Sequence, residues 1–145
     1  LCLLLLSSLG MARAQSPAPE FHLGRIEVSG LRAPPTPPGA GVAAVYLSIT
    51  NGGSKADRLL AIRSPIAAKA EIHSTTMTAG IMQMRLVEFL DVPPGVPIKI
   101  EPGAIHIMLQ GLTHPLEPGS TFPLTLEFRD AGMLVVQVPV KAALE

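Results

Sequence analysis

The chain has 145 residues with 11 basic and 11 acidic side chains, so its formal net charge is zero. That length fits one domain able to bury a core of its own. The charge balance gives no basic excess for nucleic acid and no acidic tail for cations. Aromatic residues make up only 3% of the chain against 48% apolar, with no Trp and one Tyr. Stacking platforms for bases or sugars are therefore almost absent, and the core must come from Val, Leu, Ile, Ala and Met.

The chain opens on LCLLLLSSLGMARA, an apolar run too short to span a bilayer, closed by the small-x-small sequence Ala12-Arg13-Ala14. Residues 1–14 thus read as the end of a signal peptide. No initiator Met or basic region precedes the run, so the true start is expected to lie upstream. Cys2 reads as a leader residue, and cleavage after Ala14 leaves a chain without cysteine. Disulfides, thiolate ligands, iron-sulfur clusters and Cys nucleophiles are then excluded together, and Met is the one sulfur donor left for a soft metal. An exported protein without stable membrane insertion is expected once the leader is removed.

Residues 15–22, beginning QSPAPE, read as a flexible leader to a domain over 23–141. Short apolar alternations predict strands at 23–28, 42–50, 58–63, 68–74, 82–88, 98–100, 105–109, 122–128 and 133–140. Asn51-Gly52-Gly53, Pro93-Pro94-Gly95, Pro102-Gly103, Pro118-Gly119 and Ala131-Gly132 mark turns between them. The Pro-rich stretch 33–41 reads as an extended connector. No run of ten or more residues carries a 3.6-residue apolar stripe, so the fold class expected is all-β, a Greek-key two-sheet sandwich in a single domain. Pattern alone does not separate it from a barrel.

Two short windows concentrate metal-binding side chains. EIHSTTMTAGIMQMR holds His73, Met77, Met82 and Met84, and PGAIHIMLQGL holds His106 and Met108. Residues two apart on a strand share a face, which pairs His106 with Met108 and Met82 with Met84. A turn over 75–80 would fold the first window back and bring His73 near Met84, and a neighbouring strand carrying His106 and Met108 would complete a four-donor cluster. Two imidazoles and two thioethers make a neutral, soft set. Calcium and magnesium want hard oxygens, and catalytic zinc usually takes three His or carboxylate ligands, whereas Cu(I) accepts thioether sulfur. Thioethers need lose no proton, so such a site would keep its metal into mildly acidic solution. Met133 reads as gap-filling core, and His22 and His114 as surface residues. Ser64, Ser74 and Ser120 have no patterned His and Asp partners, so no enzyme is expected.

The two windows resemble the periplasmic copper chaperone family PCu(A)C, whose signature is a His, ten residues, a Met, twenty-one residues and then His-x-Met. Here His73, Met84 and His106-Ile107-Met108 stand at those intervals. From this chain's own Met and His frequencies, the last three would fall so by chance about 5 times in 100,000. The likeness extends through AAVYLSITNGG, DRLLAIRSPIAAKAEIHSTTM, residues 103–112, PLTLEF and VVQVPV. It implies a cupredoxin-like sandwich, related in plan to the immunoglobulin fold, with Cu(I) held by His73, Met84, His106 and Met108. It also implies delivery of copper toward the dinuclear centre of cytochrome c oxidase, with subunit II or another copper chaperone as partner. Met77 and Met82 read either as accessory thioethers or as loop residues covering apolar surface. One departure stands at the amino end, where members carry an aromatic-containing segment and this chain reads SGLRAPPTPPGAG. Other readings are a copper buffering or tolerance protein, a redox copper protein, which would want a Cys thiolate absent here, and a plain adhesion or assembly sandwich.

Overall fold

The structure is a computed structural model and describes residues 19–142. Two antiparallel sheets pack face to face. The larger contains β1 (Phe21–Leu23), β2 (Ile26–Arg32), β3 (Val42–Asn51), β5 (Ala67–Thr78), β6 (Ile81–Val87), β8 (Ile98–Ile100) and β9 (Ile105–Leu112). Its order is β1-β2-β3-β9-β5-β6, and β8 shares the edge of the long β3 with β9. The smaller sheet runs β11-β10-β4-β7, with β4 at Asp57–Arg63, β7 at Leu90–Val92, β10 at Thr121–Phe128 and β11 at Gly132–Pro139. The all-β two-sheet sandwich expected from the alternation, and implied in its cupredoxin-like form by the family resemblance, is the fold observed.

The core is the meeting of the two inward faces. Every second residue of β3 (Ala43, Val45, Leu47, Ile49) and of β10 (Phe122, Leu124, Leu126, Phe128) is buried. Period-two alternation of this kind forces the intervening residues outward. In β9 the same rule buries Ile107 and Leu109 and turns out His106 and Met108.

Four sequence expectations change in detail. The single strand at 23–28 is split into β1 and β2 by a tight turn at Gly24, whose φ of 58° suits glycine. β1 starts at Phe21, inside the stretch read as leader; the signal peptide and residues 15–18 lie outside the described residues. β5 continues past Ser74 to Thr78, and the turn narrows to Ala79-Gly80. Both turn residues have positive φ, 51° and 77°, which is the two-residue hairpin geometry that follows strand twist. Met133 is 61% exposed rather than core, because β11 spends its inward positions on Val136 and Val138. The departure at the amino end is also absorbed. The register of β2 against β3 shifts after Ser29, around Gly30 at φ 64°, and the shift turns Leu31 and Ala33 into the core.

Asp57 ties the ends of the smaller sheet. Its Oδ1 accepts from the backbone N–H of Arg58 at 2.7 Å and of Asp130 at 2.9 Å, and its Oδ2 from that of Ala131 at 3.0 Å. Burial alone would raise its pKa, but these three amides and the Arg129 charge together bring it below the ordinary value of 3.8. A depressed carboxylate stabilises the fold above its unfolded value and ceases to do so as pH falls through the folded one. Asp57→Asn, which cannot accept on both arms, is expected to cost about 1–3 kcal/mol at neutral pH. It should also flatten the loss of stability below pH 4, as read by urea unfolding across a pH series.

Candidate metal centre

The β5–β6 hairpin sets the first part of the site. Met77 faces Met82, Thr75 faces Met84 and His73 faces Leu86, so all six side chains project from one face. On the other edge of β5, His73 lies directly opposite His106, and Glu71 lies opposite Met108. Ile72 and Ile107, the alternate residues, are buried, which makes the shared face the outward one. His73, Met84, His106 and Met108 therefore stand on one surface of three adjacent strands. His73 and His106 form the central pair, with Met84 one diagonal step away on β6 and Met108 one step along β9. Diagonal neighbours on a sheet are about 7–8 Å apart, within reach of long side chains.

Parity explains why the spacing matters. With a two-residue turn, ten intervening residues put Met84 on the same face as His73, and nine or eleven would put it on the opposite face. The His-x-Met step in β9 obeys the same rule.

The imidazoles are close. The ring centroids of His73 and His106 are 5.7 Å apart at an interplanar angle of 75°. His73 is half-buried on this outward face and its Nε2 lies 2.8 Å from Glu71 Oε2. Burial, and then the neighbouring His73, pushes the pKa of His106 below the ordinary imidazole value. A neutral ring keeps a nitrogen lone pair for a metal, so His106 suits metal binding better than cation pairing. Met84 is 49% exposed at the rim, and the Sδ of Met108 accepts from Gln110 Nε2 at 3.7 Å. The face thus offers two imidazoles and two thioether sulfurs, a soft set of side chains.

Met77 and Met82 are strand residues paired across the hairpin tip on the same face, both exposed, one step beyond Met84. His114 sits in an exposed turn with its Nδ1 3.1 Å from the Pro115 carbonyl oxygen. His22 lies on the distant β1–β2 hairpin. Glu20, His22 and Glu27 form there the one group, among the described residues, whose three or more His or carboxylate ligand atoms lie within 4.8 Å of one another. Sequence reasoning passed over Glu71. Its signal was its place two residues before His73 on the same strand face, and a lone carboxylate there belongs to no motif until its contact with His73 is seen.

A family model described as "Putative lipoprotein LpqE-like" matches residues 26–140, from the start of β2 to the end of the second sheet. The chain belongs to the LpqE-like family. It is 30% identical over 131 residues to "Putative lipoprotein Lxx21020" of Leifsonia xyli subsp. xyli, covering 90% of this chain and 76% of that protein. Among solved structures, the LpqE-like chain superposes on a "Copper-bound PCuAC domain from PmoF2" with a TM-score of 0.73 at 22% identity, over 85% of this chain and 97% of that one. It also superposes on the solution structure of "CuI-DR1885" from Deinococcus radiodurans with a TM-score of 0.65 at 29% identity, over 80% and 78% of the two chains. The PCuAC resemblance read from the sequence is thereby borne out at the level of family and fold.

Proposed function

We propose that this LpqE-like protein is an exported copper chaperone. It holds one Cu(I) on the outward face of β5, β6 and β9 through His73, Met84, His106 and Met108, and passes the ion to an acceptor protein. The observation that carries this reading is the strand register, which brings two imidazoles and two thioethers from distant sequence positions onto one surface, with the imidazoles directly opposed. The copper-bound states of two structural neighbours support it. Export is supported by the apolar leader and by the lipoprotein name of the relative.

The chemistry suits transfer. Each donor is neutral and monodentate, so the site can surrender ligands one at a time to a partner without stranding a buried charge. Met84 and the Met77–Met82 pair lie toward the exposed hairpin tip, where an incoming ligand has access. Met77 and Met82 then act as accessory thioethers during exchange. The acceptor is the dinuclear copper centre of cytochrome c oxidase subunit II, or another copper chaperone that feeds it. Cu(I)-loaded protein mixed anaerobically with the metal-free soluble copper domain of that subunit should lose its copper to it, read by metal analysis after separation. Retention of copper by the donor at equimolar acceptor would exclude this acceptor and favour a buffering role.

A further inference from the structure

Lys69, Glu71 and His73 follow one another at two-residue steps along β5, so all three stand on the face that carries His106 and Met108. One Glu71 oxygen lies 2.8 Å from His73 Nε2, and the other is paired with the Lys69 ammonium. The side chains of Glu71 and His73 each retain 14% exposure, so both are partly withdrawn from solvent. An ionised carboxylate only accepts hydrogen bonds, which places a proton on Nε2 of His73. The lone pair of the neutral ring then sits on Nδ1. That Nδ1 is, among the described residues, the one buried side-chain nitrogen or oxygen with no hydrogen-bond partner. A buried acceptor left unpaired is disfavoured, and a metal that took its lone pair would remove the penalty.

We propose that Glu71 is a positioning residue for copper: it fixes His73 in the Nε2-protonated tautomer, so that His73 meets the metal through Nδ1. The inference rests on the reading of His73 as a copper ligand. A carboxylate behind a ligating imidazole orients the ring and raises its basicity. Glu71 stays behind the ring rather than joining the metal, because Lys69 occupies its second oxygen and a hard carboxylate is a poor match for Cu(I) beside thioethers. The Lys69–Glu71 pair also balances its own charge, so the ring is held without adding net charge to the site.

Imidazole nitrogen NMR on the ¹⁵N-labelled protein tests this directly, with Cu(I) and with Ag(I), a d10 substitute whose nuclear spin couples to a bonded nitrogen. In the metal-free protein His73 should show a protonated Nε2. With metal, Nδ1 should shift and couple to silver while Nε2 keeps its proton. Glu71→Ala should mix the tautomers and weaken Cu(I) binding about 10- to 100-fold, whereas Glu71→Gln, whose amide oxygen still accepts from Nε2, should retain most of the affinity. Silver coupling at Nε2 would overturn the inference and leave His73 a ligand. Metal binding with neither nitrogen responding would overturn the ligand reading as well. An unchanged tautomer and affinity in Glu71→Ala would show the carboxylate to be structural only.

Discussion

Met84→Leu is expected to weaken Cu(I) binding by at least about 10-fold while leaving the fold intact, and His106→Ala by at least about 100-fold, since first ligands should matter no less than the outer partners whose loss costs 10- to 100-fold. Leucine nearly matches methionine in volume, and Met84 is half exposed on a hairpin face, so little packing is at stake. What the change removes is one thioether sulfur. His106 sits deeper and directly opposes His73, so its removal takes a nitrogen donor from the centre of the cluster. Met77→Leu, at the hairpin tip, should change equilibrium affinity by less than either and act mainly on the rate of copper exchange. Competition with a chromophoric Cu(I) chelator under anaerobic conditions measures all three. Equal effects at Met77 and Met84 would mean that the tip, rather than the centre of the face, holds the ion.

The second large effect concerns the residue between the two β9 ligands. Ile107 is fully buried, and its side chain is what turns His106 and Met108 to the outward face. Ile107→Ala should destabilise the metal-free protein by about 2–5 kcal/mol, the usual result of deleting buried methyl groups and leaving a cavity. The same variant, where folded, should bind Cu(I) within a few-fold of the wild type, because the register is fixed by both neighbouring strands. Urea unfolding followed by circular dichroism, paired with the chelator titration, separates the two effects. Parallel loss of stability and of affinity at the folded site would show that the face is not a rigid platform.

These two expectations mark what was legible in the chain. The buried alternations of β3, β9 and β10 are long enough to show period two, and they predicted the sandwich. The donor spacing was legible as a motif, and its physical basis became visible only with the register. A two-residue turn at Ala79-Gly80 and pairing of β5 on both edges convert linear intervals into one surface. The Thr75-Thr76 pair reads as turn-like in isolation, yet strand pairing on one side and the Ala104 carbonyl, which accepts from the Thr75 N–H at 2.9 Å, hold it extended. β1 and β7 are three residues each; in the sequence pattern β1 merges with β2 across the Gly24 turn, and β7, which follows Phe89 beside the Pro93-Pro94-Gly95 turn, is not read as a strand. Met133 was misplaced because a methionine among valines looks like core until the sheet assigns its side. Glu71 belongs to no spacing pattern in the sequence, and its contact with His73 Nε2 is visible only in the fold.

The central claim is that one Cu(I) sits among two imidazole nitrogens and two thioether sulfurs on this face. X-ray absorption at the copper edge of the protein loaded with one equivalent of Cu(I) measures that donor set directly. The account predicts a mixed nitrogen and sulfur shell that loses sulfur in Met84→Leu and in Met108→Leu, and loses nitrogen in His73→Ala and in His106→Ala. A shell of nitrogen and oxygen alone, unchanged in those variants, would place copper elsewhere and contradict it.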